Sequence, residues 1–157
     1  MKSLFWNLSL ALAWVAVTGD LTGRNLLLGF LIGFLVLFFT SPIIGTPAYV
    51  RKVIQVLNLA LFFIWELILS NLRVTLEVLT PGYQLRPGVV AIPLDARSDA
   101  EILLLTTLIT LTPGSIAIDI SNDRHELYLH TMYMSDPEEV RRQIKTGFER
   151  RVLEVLR

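Results

Sequence analysis

Leu26 to Phe39 carries no polar side chain, and a run of that kind chooses the solvent before it chooses the fold. In lipid each backbone N–H and C=O must be satisfied by protein, and a helix does this within one segment. Leu4 to Val17 is nearly as apolar, broken by Asn7 and Ser9, and Val53 to Leu69 is a third run carrying Gln55, Asn58 and Glu66. A crossing takes about 20 residues, which places spans at about 4–19, 25–44 and 52–72. The polar stretch Thr18 to Asn25 joins the first two as a helical hairpin. Pro42, Gly45 and Pro47 end the second helix, because proline lacks the amide donor and clashes with the preceding turn. No Pro or Gly follows until Pro81, so the third helix can continue past the membrane to residue 79.

The charges divide the chain the same way. Up to Pro81 there are five Lys or Arg and three acids, which leaves nine and eleven of the 14 and 14 for the last 76 residues. With 53% hydrophobic residues the chain is too apolar for a small soluble domain. A formal net charge of zero with no basic cluster gives nucleic acid nothing to bind. The absence of cysteine removes disulfides, thiolate nucleophiles and zinc fingers, and suits a domain that folds in the cytoplasm. No small-x-small cleavage site precedes a soluble mature chain, and a second apolar run follows at once, so the N-terminal run reads as a retained helix.

Residues 80–87, with Thr80-Pro81-Gly82 and Arg86-Pro87, read as a linker, and 88–157 as a small α+β domain. Val89 to Leu94 is an extended run. Ser98 and Glu101 form a capping-box start for a helix ending near Leu111, too short to span and better buried or interfacial. Ile116, Ile118 and Ile120 alternate with Ala117, Asp119 and Ser121, and Leu127 and Leu129 with Tyr128 and His130, the period of a half-buried hairpin. Asp136-Pro137-Glu138-Glu139 opens a last helix whose stripe is Val140, Ile144, Phe148, Val152 and Val155. The expected fold is thus three apolar membrane helices plus a βαββα domain. Its three-stranded mixed sheet would pair the first two strands in parallel through a right-handed crossover, with both helices on one face.

Glu66 is the one ionisable group well inside an apolar helix, and such a group is a functional candidate: a proton or cation relay, or a contact near the membrane exit. Glu66, Arg73 and Glu77 fall near one helical stripe, as a contact ridge or a solvated face. Gly29 and Gly33 form GxxxG, which lets a second helix approach closely, and Asn58 is an amide in need of a partner helix. His125 and His130 do not converge as metal ligands should. Ser115, Asp119 and His130 can be written as a triad, but no nucleophile elbow or oxyanion arrangement accompanies them. No cofactor motif is present: Thr112-Pro113-Gly114-Ser115 lacks the glycines and lysine of a phosphate loop. It reads instead as a helix stop and strand launch, with Gly114 supplying positive φ.

The block Ile109 to Asp123, ITLTPGSIAIDISND, with Glu126 to His130, ELYLH, resembles the E-type subunits of multisubunit Mrp-type sodium/proton antiporters. The resemblance extends over the three apolar runs, Glu66 to Arg73 (ELILSNLR) and Arg86-Pro87-Gly88, with Ser115 where the family most often has Thr. It marks Thr112, Pro113, Gly114, Ser115, Asp119 and His130 as motif positions. It implies an integral, non-enzymatic component of a bacterial cytoplasmic-membrane complex that exchanges sodium ions for protons, with the C-terminal domain in the cytoplasm and the main ion paths in larger partner subunits. One intramembrane Glu and three thin helices cannot build a pathway alone. The alternative is a stand-alone membrane-tethered binding or sensor module. Charge does not settle the orientation: with three crossings and a cytoplasmic domain, Arg51 and Lys52 lie outside, against the positive-inside tendency.

Overall fold

A computed structural model describes residues 2–44, 47–80, 86–134 and 136–157, which form two compact units, Met1–Ile54 and Gln55–Arg157. In the first unit, α1 (Lys2–Thr18) packs on α2 (Gly23–Ile44). The pairing is antiparallel, since Gly29 faces Ala11 and Trp14 while Gly33 faces Asn7 and Leu10. At the turn between them Asn25 is a hub: its Oδ1 accepts from Trp14 Nε1 at 3.0 Å, and its Nδ2 donates to Thr18 Oγ1 at 2.6 Å and the Asp20 carbonyl at 2.7 Å. α2 runs two residues beyond Pro42, and the expected stop at Gly45 lies outside the described residues.

α3 (Pro47–Leu79) is a single helix of 33 residues with proline at its first position, where the missing amide costs nothing. Among the described residues, α2 and α3 have the length and composition of crossing helices, and α1, at 17 residues, is a shorter apolar helix at the lower limit of a crossing. Three equivalent spans are therefore not what forms. Pro81 to Leu85, most of the expected linker, lie outside the described residues.

The second unit continues through β1 (Gly88–Pro93), α4 (Asp99–Leu111), β2 (Ser115–Ile120), β3 (Glu126–Thr131), α5 (Pro137–Ile144), a π turn (Lys145–Glu149) and α6 (Arg150–Leu156). The sheet order is β1-β3-β2 and both pairings are antiparallel. The expected mixed sheet is thus corrected. β1 and β2 run in the same direction, but β3 turns back from β2 and occupies the place between them.

The core is formed by one sheet face, with Val90, Ile92, Leu127 and Leu129, against Ile102, Leu105 and Ile109 of α4 and Ile144, Phe148 and Val152 of the last helices. β2 joins that core through Ala117 and Ile120, not through an unbroken isoleucine set. A bulge between Ala117 and Asp119 adds one residue, so the alternation changes phase and Ile116 and Ile118 face outward, each about half exposed. The stripe of the last helix repeats every four residues, which drifts by about 40° per repeat on a regular helix. The wider π turn at Lys145–Glu149 absorbs that drift and keeps Ile144, Phe148 and Val152 in one core.

Candidate functional site

The Thr112–Ser115 segment closes α4 through side chains acting on backbone. Thr112 Oγ1 and backbone N–H donate to the Ile109 carbonyl at 2.6 and 3.1 Å, and Ser115 Oγ donates to the same carbonyl at 3.2 Å. This carbonyl is one of those a helix end leaves unpaired. Gly114 takes φ +94°, which re-aims the chain into β2, and its carbonyl accepts from Met132 N–H at 2.9 Å.

Gly114 is also the floor for an aromatic ring. A Cβ there would stand 2.6 Å from Tyr133 Cε2. Tyr133 in turn donates its hydroxyl to Glu77 Oε2 of α3 at 2.7 Å, and the Arg73 guanidinium lies 5.2 Å from the ring centroid. Burial and then the Glu77 carboxylate push the Tyr133 phenol up from its ordinary value. It is held as a neutral hydrogen-bond donor. One chain of contacts therefore leads from the α4 stop, through Gly114 and Tyr133, to the polar stripe of α3.

A cleft of about 560 Å³ opens beside this clamp, lined by Glu66, Ser70 and Arg73 of α3, Thr112 to Ser115, and Arg150 and Arg151. Its far end is closed by Phe62, whose ring meets Phe148 edge-on at 5.1 Å and lies under the Arg151 guanidinium at 3.9 Å. Gly147 makes room there, since a Cβ would stand 3.1 Å from Phe62. Glu66 is half-buried on the cleft wall and makes no hydrogen bond or ion pair among the described residues.

The remaining motif positions do not join the cleft. His130 lies on the outer sheet face opposite Ile116, and Asp119 pairs with Tyr128 and bonds to the Ile120 amide. Ser115 Oγ is turned into the helix stop, so the Ser-His-Asp triad does not assemble. Gly29 and Gly33 meet α1 of the same chain, while Asn58 is exposed.

A sequence profile described as Na+/H+ ion antiporter subunit matches residues 7–155. The E-type subunit of the Na(+)/H(+) antiporter of Alkalihalophilus pseudofirmus is 36% identical over 149 residues, covering 95% of this chain and 94% of the relative. That of Bacillus subtilis is 37% identical over 151 residues, covering 96% of both. The chain belongs to the family of E-type Na+/H+ antiporter subunits. Among solved structures, a chain of the Mrp complex from a Dietzia species is 28% identical with a TM-score of 0.52, covering 62% of this chain and 92% of that one. A chain of an archaeal membrane-bound sulfane sulfur reductase is 25% identical with a TM-score of 0.55, covering 96% of both.

The expectation from the ITLTPGSIAIDISND block is thus met at the level of the E-type family. What the residue reading missed is the pair of buried carboxylates that hold the loop after β1. Glu149 is 1% exposed, and its Oε1 accepts from the amides of Asp95 and Ala96 at 2.6 and 3.0 Å while Lys145 lies 2.8 Å from Oε2. Glu101 accepts from the amides of Arg97 and Ser98 and pairs with Arg157 at 2.9 Å. The Arg157 guanidinium and then those two amides pull the Glu101 carboxyl down to about 2. The capping box signalled Glu101; for Glu149 only its four-residue spacing from Lys145 was visible.

Proposed function

We propose that this E-type chain is an accessory and assembly component of a multisubunit sodium/proton antiporter, not an enzyme, and that it does not itself form the main ion path. The observation that carries the reading is the bareness of its hairpin: no ionisable side chain lies between Ser3 and Gly19 or between Asn25 and Ala48. A proton path through hydrocarbon needs groups that titrate. Glu66 lines the cleft between α3 and the small domain rather than an ion path, and that domain sits on the cytoplasmic side.

Purification of the tagged chain in mild detergent tests this, with larger membrane subunits expected to accompany it and sodium tolerance lost on deletion. Recovery of the chain alone, with tolerance intact after deletion, would favour a stand-alone binding or sensor module. Glu66→Gln should leave antiport unchanged at normal complex abundance. Reduced antiport at normal abundance would make Glu66 part of the relay.

A further inference from the structure

We infer that α3 does not cross the bilayer from Gln55 onward but lies in the plane of its cytoplasmic interface, with the outer face of the helix set into the lipid headgroup and acyl boundary. The two faces of the helix require different solvents. Leu61, Ile64, Ile68, Leu72, Leu76 and Leu79 recur at three- and four-residue spacing and are each about half exposed or more. Glu66, Arg73 and Glu77 lie roughly 140° to 180° around the helix from Ile68. That second face is taken by the domain: Leu59 and Phe62 enter its core, and Glu77 holds Tyr133.

Length makes crossing and docking exclusive. From Leu59 to Glu77 the helix rises about 27 Å, nearly the whole hydrocarbon thickness of about 30 Å. A crossing α3 would hold the docked surface, with Arg150, Arg151 and the Tyr133–Glu77 pair, at membrane depth. Charged groups there need a protein or water surround that the lipid does not supply. A helix in the interface keeps both faces satisfied. Two polar residues on its lipid side, Asn71 and Thr75, are exposed, which the polar interface tolerates better than hydrocarbon. Trp65, 59% exposed beside the stripe, is the side chain favoured at that depth.

The occupant is lipid on grounds of continuity and charge. α3 begins three residues after the end of α2, at the mouth of a crossing helix. With two crossings and a cytoplasmic domain, Lys2, Arg51 and Lys52 all lie inside, against Arg24 alone in the outer turn. The positive-inside tendency is then obeyed.

The cysteine-free sequence permits single nitroxide labels at each position from 57 to 79 of the full chain, reconstituted in phosphatidylethanolamine and phosphatidylglycerol vesicles. Labels at Leu61, Ile64, Ile68 and Leu72 should report one shallow depth, roughly 5–10 Å below the headgroups, with oxygen access oscillating at the helical period. A depth profile that rises to the midplane near Ile64 and falls again overturns the inference. So does a stripe closed to oxygen, which would mean a protein occupant. In native membranes, Ser3→Cys and Leu156→Cys should both react with impermeant maleimide from the cytoplasmic side; reaction from opposite sides is the three-crossing result and also overturns it.

Discussion

Replacing Gly114 with alanine attacks the motif turn at two points that can be separated. At φ +94° an L side chain carries a backbone penalty of about 1–2 kcal/mol. The new Cβ would also stand 2.6 Å from Tyr133 Cε2, so the ring must retreat by about 1 Å to restore contact distance. Its hydroxyl is fixed to Glu77 at 2.7 Å, so the retreat strains or breaks a bond to a charged acceptor, at about 1.5–3 kcal/mol. The sum is about 2.5–5 kcal/mol, enough to unseat the domain from α3. Denaturant unfolding of the full chain in mild detergent gives the single-variant value. A double-mutant cycle with Tyr133→Ala then isolates the ring. In that background the cost of Gly114→Ala should fall to the backbone share of about 1–2 kcal/mol. An equal cost in both backgrounds refutes the clash with Tyr133, and a cost below about 0.5 kcal/mol refutes the need for glycine.

Further outcomes can be stated more briefly. Glu101 is held at about 2, below its unfolded value near 4.5, so its contribution is complete above about pH 4.5 and disappears as pH falls toward 2. Unfolding followed from pH 7 to 2 should therefore show Glu101→Gln less stable than wild type at neutral pH, the two curves converging across that window; parallel curves count against the Arg157 pairing. Gly33→Ala would place a Cβ 2.5 Å from Asn7 Oδ1 in the α1–α2 contact and should cost about 1–3 kcal/mol in detergent unfolding. Gly23→Ala, with nothing within 4 Å, is the matched control and should be close to neutral.

What the residues disclosed in advance follows the range of the interactions. The Ser98–Glu101 capping box, the Asp136 cap with Pro137, and the stop at Thr112 form within four or five residues, and each was readable from those residues alone. Strand order was not. Whether β1 pairs with β2 or β3 depends on which face α4 covers and on where the β2–β3 turn returns the chain, and no local pattern carries that. The bulge at Ile118 misled in a specific way: strict isoleucine alternation predicts one face, while one extra residue sends Ile116 outward and Ile120 inward. The cleft was half legible, because Glu66, Arg73 and Glu77 were visible as one stripe. Tyr133, the residue that connects them to Gly114, carried no pattern of its own.

The central position of β3 has a consequence for biogenesis. Its partners on β1 are 33 to 43 positions earlier in the chain, and β1 and β2 have no pairing with each other. Until Glu126–Thr131 has been made, the sheet has two unpaired strands and no middle, so the domain cannot accumulate stability strand by strand. Pairings this distant are slow to form because loop closure precedes any gain from contact. The membrane helices, made first and stabilised by local bonds, face no such delay. A chain broken off before β3 would therefore enter the membrane normally yet lack the domain, including the Tyr133 that holds it to α3.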